Sequence, residues 1–361
     1  MCVCMQWGVS VSPSETDGTL EPALAGSFSL GEKLHKRFPP SQYGVISRHG
    51  TRPGIEGPIC KINQDRAFMS LHADHPGLRY FGLFDGHGLN GGIISHACME
   101  TVQNTMARDD MIEKEPEGAL RRALAAAETM LEEKLAAGAQ KSGTTANVSV
   151  LYNGTLWVAN IGDSRCVLAR GGAPMPSPYD KAGDAPPTMD GRESPRSSNS
   201  SSASELEALD LSVDHKPDDP SEEARILAAG GGVSHAHPNT GPARVYSAGG
   251  RSPGLAMSRV LGDLRAKSIG IIAEPEIQQV EVGEKDQFVI VASDGVWDFI
   301  SSREAVKIVD AAWRKHRSAA TAAKMLVHEA KRRWQKEEGE YCDDITAIVA
   351  NLQWQPAAAD E

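Results

Sequence analysis

Four aspartates in this chain stand where an apolar run begins or ends. Asp85 closes "YFGLF", Asp294 closes "FVIVAS", Asp343 immediately precedes "DITAIVANL", and Asp65 lies in "KINQDRAF" ahead of a short apolar patch. Such runs predict β-strands, and strand ends from distant parts of a chain can converge at one edge of a sheet. Three or four carboxylates gathered there would repel one another strongly unless a divalent cation neutralised them. A set made only of oxygens suits Mg²⁺ or Mn²⁺. Any single Asp-Gly has a plainer meaning as a turn after a strand, so the chemistry rests on the set.

The stretch around Asp85, "YFGLFDGHGLNGG", also satisfies G-x-G-x-x-G in "GHGLNG". A dinucleotide loop aims backbone N–H groups and a helix N-terminus at an anionic pyrophosphate, and wants an acidic strand end roughly 20 residues on. Asp85 against the first glycine would repel that ligand. Asp109 and Asp110 fall near the required distance, but "ACMETVQNTMAR" before them spaces its apolar residues like a helix. His235 and His237 in "SHAHPN" have metal-ligand spacing without a third partner and read as a solvated loop. There is no G-x-x-x-x-G-K-[ST] loop.

The elements that would position these residues are legible. In "TTANVSVLYNGTLWVANIGDSRCVLAR", Asn153-Gly154 predicts a type I′ hairpin turn and Gly162-Asp163 the next reversal, a three-strand antiparallel meander. A doubly wound parallel sheet would need helical crossovers there. "YGVISR" and "QFVIVAS" suggest further strands. Leu120, Leu124, Ala127, Leu131 and Leu135 share a helical face with Pro116 near its start and Gly138 past its end. Asp219, Pro220 and two glutamates open another helix that a glycine stops, and two more fit 303–315 and 318–337. Antiparallel strands without strict β-α alternation predict an α+β layered domain, helices covering a sheet or a sandwich.

Residues 1–42 mix Ser, Gly, Pro and Glu with little periodicity and are expected to be a flexible lead-in. One folded domain is expected over 43–353, interrupted by a surface insertion rich in Ser, Pro and Gly at 171–205, with a flexible tail at 354–361. Lys plus Arg number 37 against 48 for Asp plus Glu, a net charge of -11 with no long basic run. Nucleic acid is therefore not an expected partner. No apolar run approaches membrane-spanning length, and six cysteines scattered over 361 residues suit a reduced, intracellular setting, cytoplasmic or nuclear. The opening "MCVCMQW" lacks the pattern of a secretory signal, and Cys2 stands where N-myristoylation needs glycine. Cys2 and Cys4 offer acylation or metal binding, but two ordinary thiols on a loose tail are the simpler expectation.

The aspartates belong to a longer ordered series: "NQD" at 63–65, "DGHG" at 85–88, "SGTTA" at 142–146, "GDSR" at 162–165, "DHKP" at 214–217, "LAMSRVLGD" at 255–263, "SDGVWD" at 293–298 and "DDIT" at 343–346. In this order they resemble the metal-dependent, type-2C serine/threonine protein phosphatases over about residues 43–352. The resemblance implies two packed antiparallel β-sheets flanked by α-helices, with the metals at one end of the sandwich. It implies that Asp85 bridges two Mn²⁺ or Mg²⁺ ions with the Gly86 carbonyl assisting, and that Asp294 and Asp343 complete the first metal's ligands. Asp65 would reach the metals through water, and Asp163 with Asp294 would form a weaker third site. His87 would be the general acid for a metal-bridged hydroxide attacking phosphoserine or phosphothreonine, with phosphoprotein substrates and a monomeric enzyme expected.

Two departures from the family pattern stand out. Gln64 replaces a common Glu beside the metals, and Cys60 takes the place of a phosphate-gripping Arg, for which Arg52, Lys61 or Arg66 would have to substitute. These two positions speak for an alternative, a catalytically weak or silent relative that acts as a regulatory binding protein.

Overall fold

The computed structural model describes residues 39–75, 77–171, 206–237, 241–250 and 252–352. Cys2 and Cys4, nearly all of the expected lead-in, insertion residues 172–205 and the tail from 353 lie outside the described residues. Packing begins slightly before the boundary expected at Tyr43. Pro40 and Ser41 offer carbonyls to the N–H groups of Ala320 and Ala319, and Gln42 is buried.

The apolar runs form long strands bounded by turns. They are β1 (Tyr43–Arg48), β2 (Arg66–Leu71), β3 (Arg79–Phe84), β4 (Ala146–Tyr152), β5 (Thr155–Ile161), β6 (Arg165–Arg170), β7 (Glu207–Asp210), β8 (Glu276–Glu281), β9 (Asp286–Ala292) and β10 (Ile345–Asn351). They build two five-stranded sheets, β1-β10-β9-β6-β7 and β8-β5-β4-β3-β2, antiparallel throughout. The helices are α1 (Gly91–Met106), α2 (Pro116–Lys134), α3 (Pro220–Ala228), the single turn α4 (Asp294–Trp297), α5 (Ser302–His316) and α6 (Ala319–Glu337).

Alternation along the strands explains the layering. In β9 and β10, Val289, Val291 and Ile348 point into the sandwich against Phe81, Leu83 and Val158 of the other sheet. Their neighbours Phe288, Ile290 and Val349 point outward, where Val309, Trp313 and Leu326 of α5 and α6 cover them. On the opposite side, Phe68, Val148 and Val150 meet Ile94, Leu120 and Leu124 of α1 and α2. A central strand buried on both faces reads as a continuous apolar run rather than an alternating one. The helices start where expected: Ser301 and Glu304 form a capping box on α5, and Ser318 accepts from Thr321 N on α6. Asp219 occupies the N-cap position of α3, but its carboxylate makes no capping bond.

The hairpin at Asn153-Gly154 forms as predicted, both residues having positive φ (47° and 73°) and Tyr152 facing Thr155. The third strand of the meander does not. At Gly162 the chain leaves β5 and crosses to the other sheet, where β6 pairs with β9 and β7. The free edge of β5 is taken by β8, and β6 buries Cys166 and Leu168 on one face and Val167 and Ala169 on the other. A strand apolar on both faces belongs inside a layered structure.

Beside the sandwich, α3 supports a small sheet of 231–234, 244–247 and 253–255. It is anchored by Glu222, which is buried and accepts from Arg225, Arg259 and Ser258, while Arg259 also reaches Glu276 of β8. Burial would raise the Glu222 carboxyl pKa, but these donors outweigh it and hold the group far below the usual carboxylate range. A depressed folded pKa contributes stability that is present above about pH 4.5 and is lost as pH falls through the folded value. Glu222→Gln should therefore cost about 3 kcal/mol at pH 7, since it strands buried guanidinium charge. Urea unfolding at pH 7 and pH 4 should show a shallower loss of stability on acidification in the variant than in the wild type.

Candidate active site

Sheet register brings the aspartates together. Arg66 faces Phe84, so Asp65 just before β2 and Asp85 just after β3 lie at one end of their sheet. Ala292 faces both Ala347 and Arg165, so Asp294 after β9, Asp343 before β10 and Asp163 before β6 share one end of the other sheet. The crossing at Gly162 joins the two ends, because Ile161 of β5 faces Ala146 beside β3. All five positions therefore meet at one edge of the sandwich.

The surrounding backbone is held by hydroxyls. Asp85 donates its N–H to Thr145 Oγ1 at 3.0 Å, and its carbonyl accepts from Thr144 Oγ1 and Thr145 N. Thr145 Oγ1 lies 2.7 Å from Ser164 Oγ, tying this corner to the Gly162 crossing. Asp65 is fully buried; its Oδ2 accepts from Ser293 Oγ at 3.0 Å and its Oδ1 has no hydrogen-bond partner. Asp163, also buried, accepts from Lys216 Nζ at 2.6 Å on Oδ2 and leaves Oδ1 without a partner. Asp343 is paired with Lys61 Nζ and accepts from Tyr341 Oη at 3.3 Å. Its neighbour Asp344 receives Gly50 N at 2.6 Å and Gln64 N at 2.8 Å, a buried clamp joining three chain segments.

Electrostatics record how close these groups are. Burial, then the charges of Asp65, Asp294, Asp343 and Asp163, push the Asp85 carboxyl well above its ordinary range. Burial followed by Asp163 and other carboxylates does the same to Asp294. Asp65 is pushed up to about 7, by burial first and by Asp344 second. Among the described residues no three His, Cys, Asp or Glu side chains are already drawn together to chelate one ion; the ammonium groups of Lys61 and Lys216 hold two of the carboxylates instead. Mutually repelling carboxylates, two buried oxygens without partners and an all-oxygen donor set fit a divalent cation of the Mg²⁺ or Mn²⁺ kind. Gly86 is held to glycine, since a Cβ there would lie 2.5 Å from Gly91 O and 2.7 Å from Gln64 O.

His87 points its Nε2 at Asp263 Oδ2, 2.5 Å away, while its Nδ1 is buried without a partner. Asp263 is itself buried and sits in the left-handed region with φ 46°. Sequence reasoning assigned no task to Asp263, Lys216 or Asp344, although each stands in a quoted motif: "LAMSRVLGD", "DHKP" and "DDIT". Their order along the chain was a signal; their direction was not. Of the three cations considered in place of Cys60, Lys61 reaches Asp343, Arg66 donates to the carbonyls of Asn63 and Asp65, and Arg52 is exposed. Gln64 Nε2 donates to Gly88 O at 2.9 Å. His235 pairs with Glu223 at 3.2 Å, on the small sheet's side.

The sequence profile described as Protein phosphatase 2C matches residues 42–186 and 196–339. This chain belongs to the protein phosphatase 2C family. It is a metal-dependent serine/threonine protein phosphatase. It is 31% identical over 314 residues to "Probable protein phosphatase 2C 72" of Arabidopsis thaliana, covering 82% of this chain and 85% of that one. It is 34% identical over 287 residues to "Probable protein phosphatase 2C 48" of Oryza sativa subsp. japonica, covering 74% and 73%. Among solved structures, the serine-threonine phosphatase 2C of Toxoplasma gondii superposes with a TM-score of 0.65 at 21% identity, covering 86% of this chain and 94% of that one. A C. elegans sex determining protein superposes at 0.58 and 20% identity, covering 86% and 64%. These two likenesses concern the fold, the two-sheet sandwich flanked by helices.

Removing one of several mutually repelling carboxylates should relieve the metal-free protein. Asp85→Asn and Asp294→Asn are each expected to raise unfolding stability in chelator by about 1 kcal/mol while Mn²⁺-dependent phosphatase activity disappears. Thermal melts in chelator and turnover in Mn²⁺ check the two halves separately; near-normal turnover in either variant would overturn the metal assignment.

Proposed function

We propose that this edge hydrolyses phosphoserine and phosphothreonine monoesters of proteins by direct attack of water, with His87 as general acid. The observation that carries this reading is the convergence of Asp65, Asp85, Asp163, Asp294 and Asp343 at one sandwich end, with His87 two residues from Asp85. Asp85, the Gly86 carbonyl, Asp294 and Asp343 would hold two Mn²⁺ or Mg²⁺ ions, Asp65 supporting them through water and Asp163 with Asp294 serving a weaker third. Bound there, such ions acidify water toward neutral pH and neutralise phosphoryl oxygens.

The chain's own residues do the rest. Asp263 orients the His87 ring through Nε2, and His87 would give a proton to the departing serine or threonine oxygen. An alkoxide is a poor leaving group without that proton. Lys61, one residue from Cys60 and already at Asp343, is placed to turn toward a phosphoryl oxygen once metal neutralises that carboxylate. Gln64 leaves one fewer charge beside the metals than glutamate would, and Gln64→Glu should keep activity and tighten Mn²⁺ binding.

With a phosphothreonine peptide, His87→Gln should lower turnover about 10²- to 10⁴-fold. With para-nitrophenyl phosphate, whose phenolate leaves without a proton, the loss should be much smaller. Asp263→Asn should follow the same pattern more weakly, since it acts through the orientation of His87. Calorimetric Mn²⁺ affinity should be nearly unchanged in His87→Gln; equal losses on both substrates, or a large loss of metal binding, would remove the general-acid role.

A further inference from the structure

Large apolar side chains that remain exposed are unevenly placed. Nine are strongly exposed among the described residues, and five of them, Ile55, Ile59, Ile62, Leu89 and Ile93, belong to two short segments beside the catalytic edge. Leu89 is 94% exposed and Ile62 is 85% exposed. Single exposed apolar residues scattered over a surface are ordinary, whereas a local concentration marks a place where something docks.

The two segments are bound side by side. Gln64 Nε2 donates to Gly88 O, and Ser95 Oγ donates to Gln64 O at 2.6 Å. A Cβ on Gly92 would lie 3.8 Å from Asn63 O. Ile62 thus stands just before the Gln64-Asp65 corner, and Leu89 and Ile93 stand just beyond His87 and at the start of α1. Two cations of the same stretch are turned inward, Lys61 to Asp343 and Arg66 to the carbonyls of Asn63 and Asp65, while Arg52 is exposed. Beside them Ile62, Leu89 and Ile93 face outward.

We propose that this rim, centred on Ile62, Leu89 and Ile93, is a specificity surface that takes an apolar side chain of the substrate polypeptide next to its phosphorylated residue. The inference rests on the phosphatase reading and on His87 facing the leaving oxygen. The polypeptide is the leaving group, so it must pass the His87 side, and Leu89 lies two residues beyond His87. A neighbouring Leu, Ile or Phe of the substrate meets the rim there. Burying one such side chain corresponds to about a tenfold gain in affinity.

The test uses the full-length enzyme with Mn²⁺ and phosphothreonine peptides that differ only in the flanking residues, Leu against Ala against Asp. The wild type should prefer the Leu peptide over the Ala peptide by about tenfold in kcat/KM, mostly through KM. Leu89→Ser/Ile93→Ser should bring that ratio to within about twofold while hydrolysing para-nitrophenyl phosphate as the wild type does. A wild type without preference, or a variant that keeps it, would overturn the proposal. So would a dimer in sedimentation that the same double substitution dissolves with no effect on peptide preference, since the rim would then join two copies of this chain. If the wild type hydrolyses neither the peptides nor para-nitrophenyl phosphate, the phosphatase reading itself has failed, a result distinct from every other.

Discussion

The repulsion among five clustered carboxylates is the constraint to which the structure answers. Two of them, Asp65 and Asp163, are fully buried, and burial removes the water that would otherwise screen and solvate their charge. Such a cluster opposes folding of the metal-free chain and persists only if the surrounding frame is stiff. Three apolar interfaces supply the stiffness: one between the sheets and one beneath each helical layer. Strands packed on both faces cannot move at their ends without disturbing an interior at close-packed density.

The frame is completed at the carboxylate edge by directed contacts. Ser293, Thr144, Thr145 and Ser164 fasten the strand ends to one another, and Asp344 clamps Gly50 and Gln64. Lys61 and Lys216 bring positive charge to opposite sides of the cluster. For both, burial opposes the ammonium charge, but the neighbouring aspartates outweigh it and raise the pKa above its ordinary value. A site that gathers negative charge for a cation thus carries partial internal compensation, and a cation entering it competes with two ammonium groups.

The catalytic edge also depends on the part of the chain outside the sandwich. Asp263, which orients His87, follows a short pairing of Leu261–Gly262 with Gly143–Thr144, and Gly143–Thr144 also pairs with Gly86–His87. Arg259, a few residues earlier, is locked to Glu222 and Glu276. The general-acid candidate is therefore referenced to β8 and α3 as well as to its own loop.

Much of this was legible from local pattern. The helices at 302–316 and 319–337, the Asn153-Gly154 hairpin and the identities of the clustered aspartates follow from periodicity, turn chemistry and motif order, which act over a few residues. The crossing at Gly162 did not follow, because whether β6 continues one sheet or enters another is decided by β8 and β9, more than 100 residues further along. The partnership of His87 with Asp263, 176 residues apart, and the ammonium groups at Asp343 and Asp163 were equally beyond local pattern. Residue type tells which charges a chain owns, while only the packed backbone decides which way each side chain points and which opposite charge it meets.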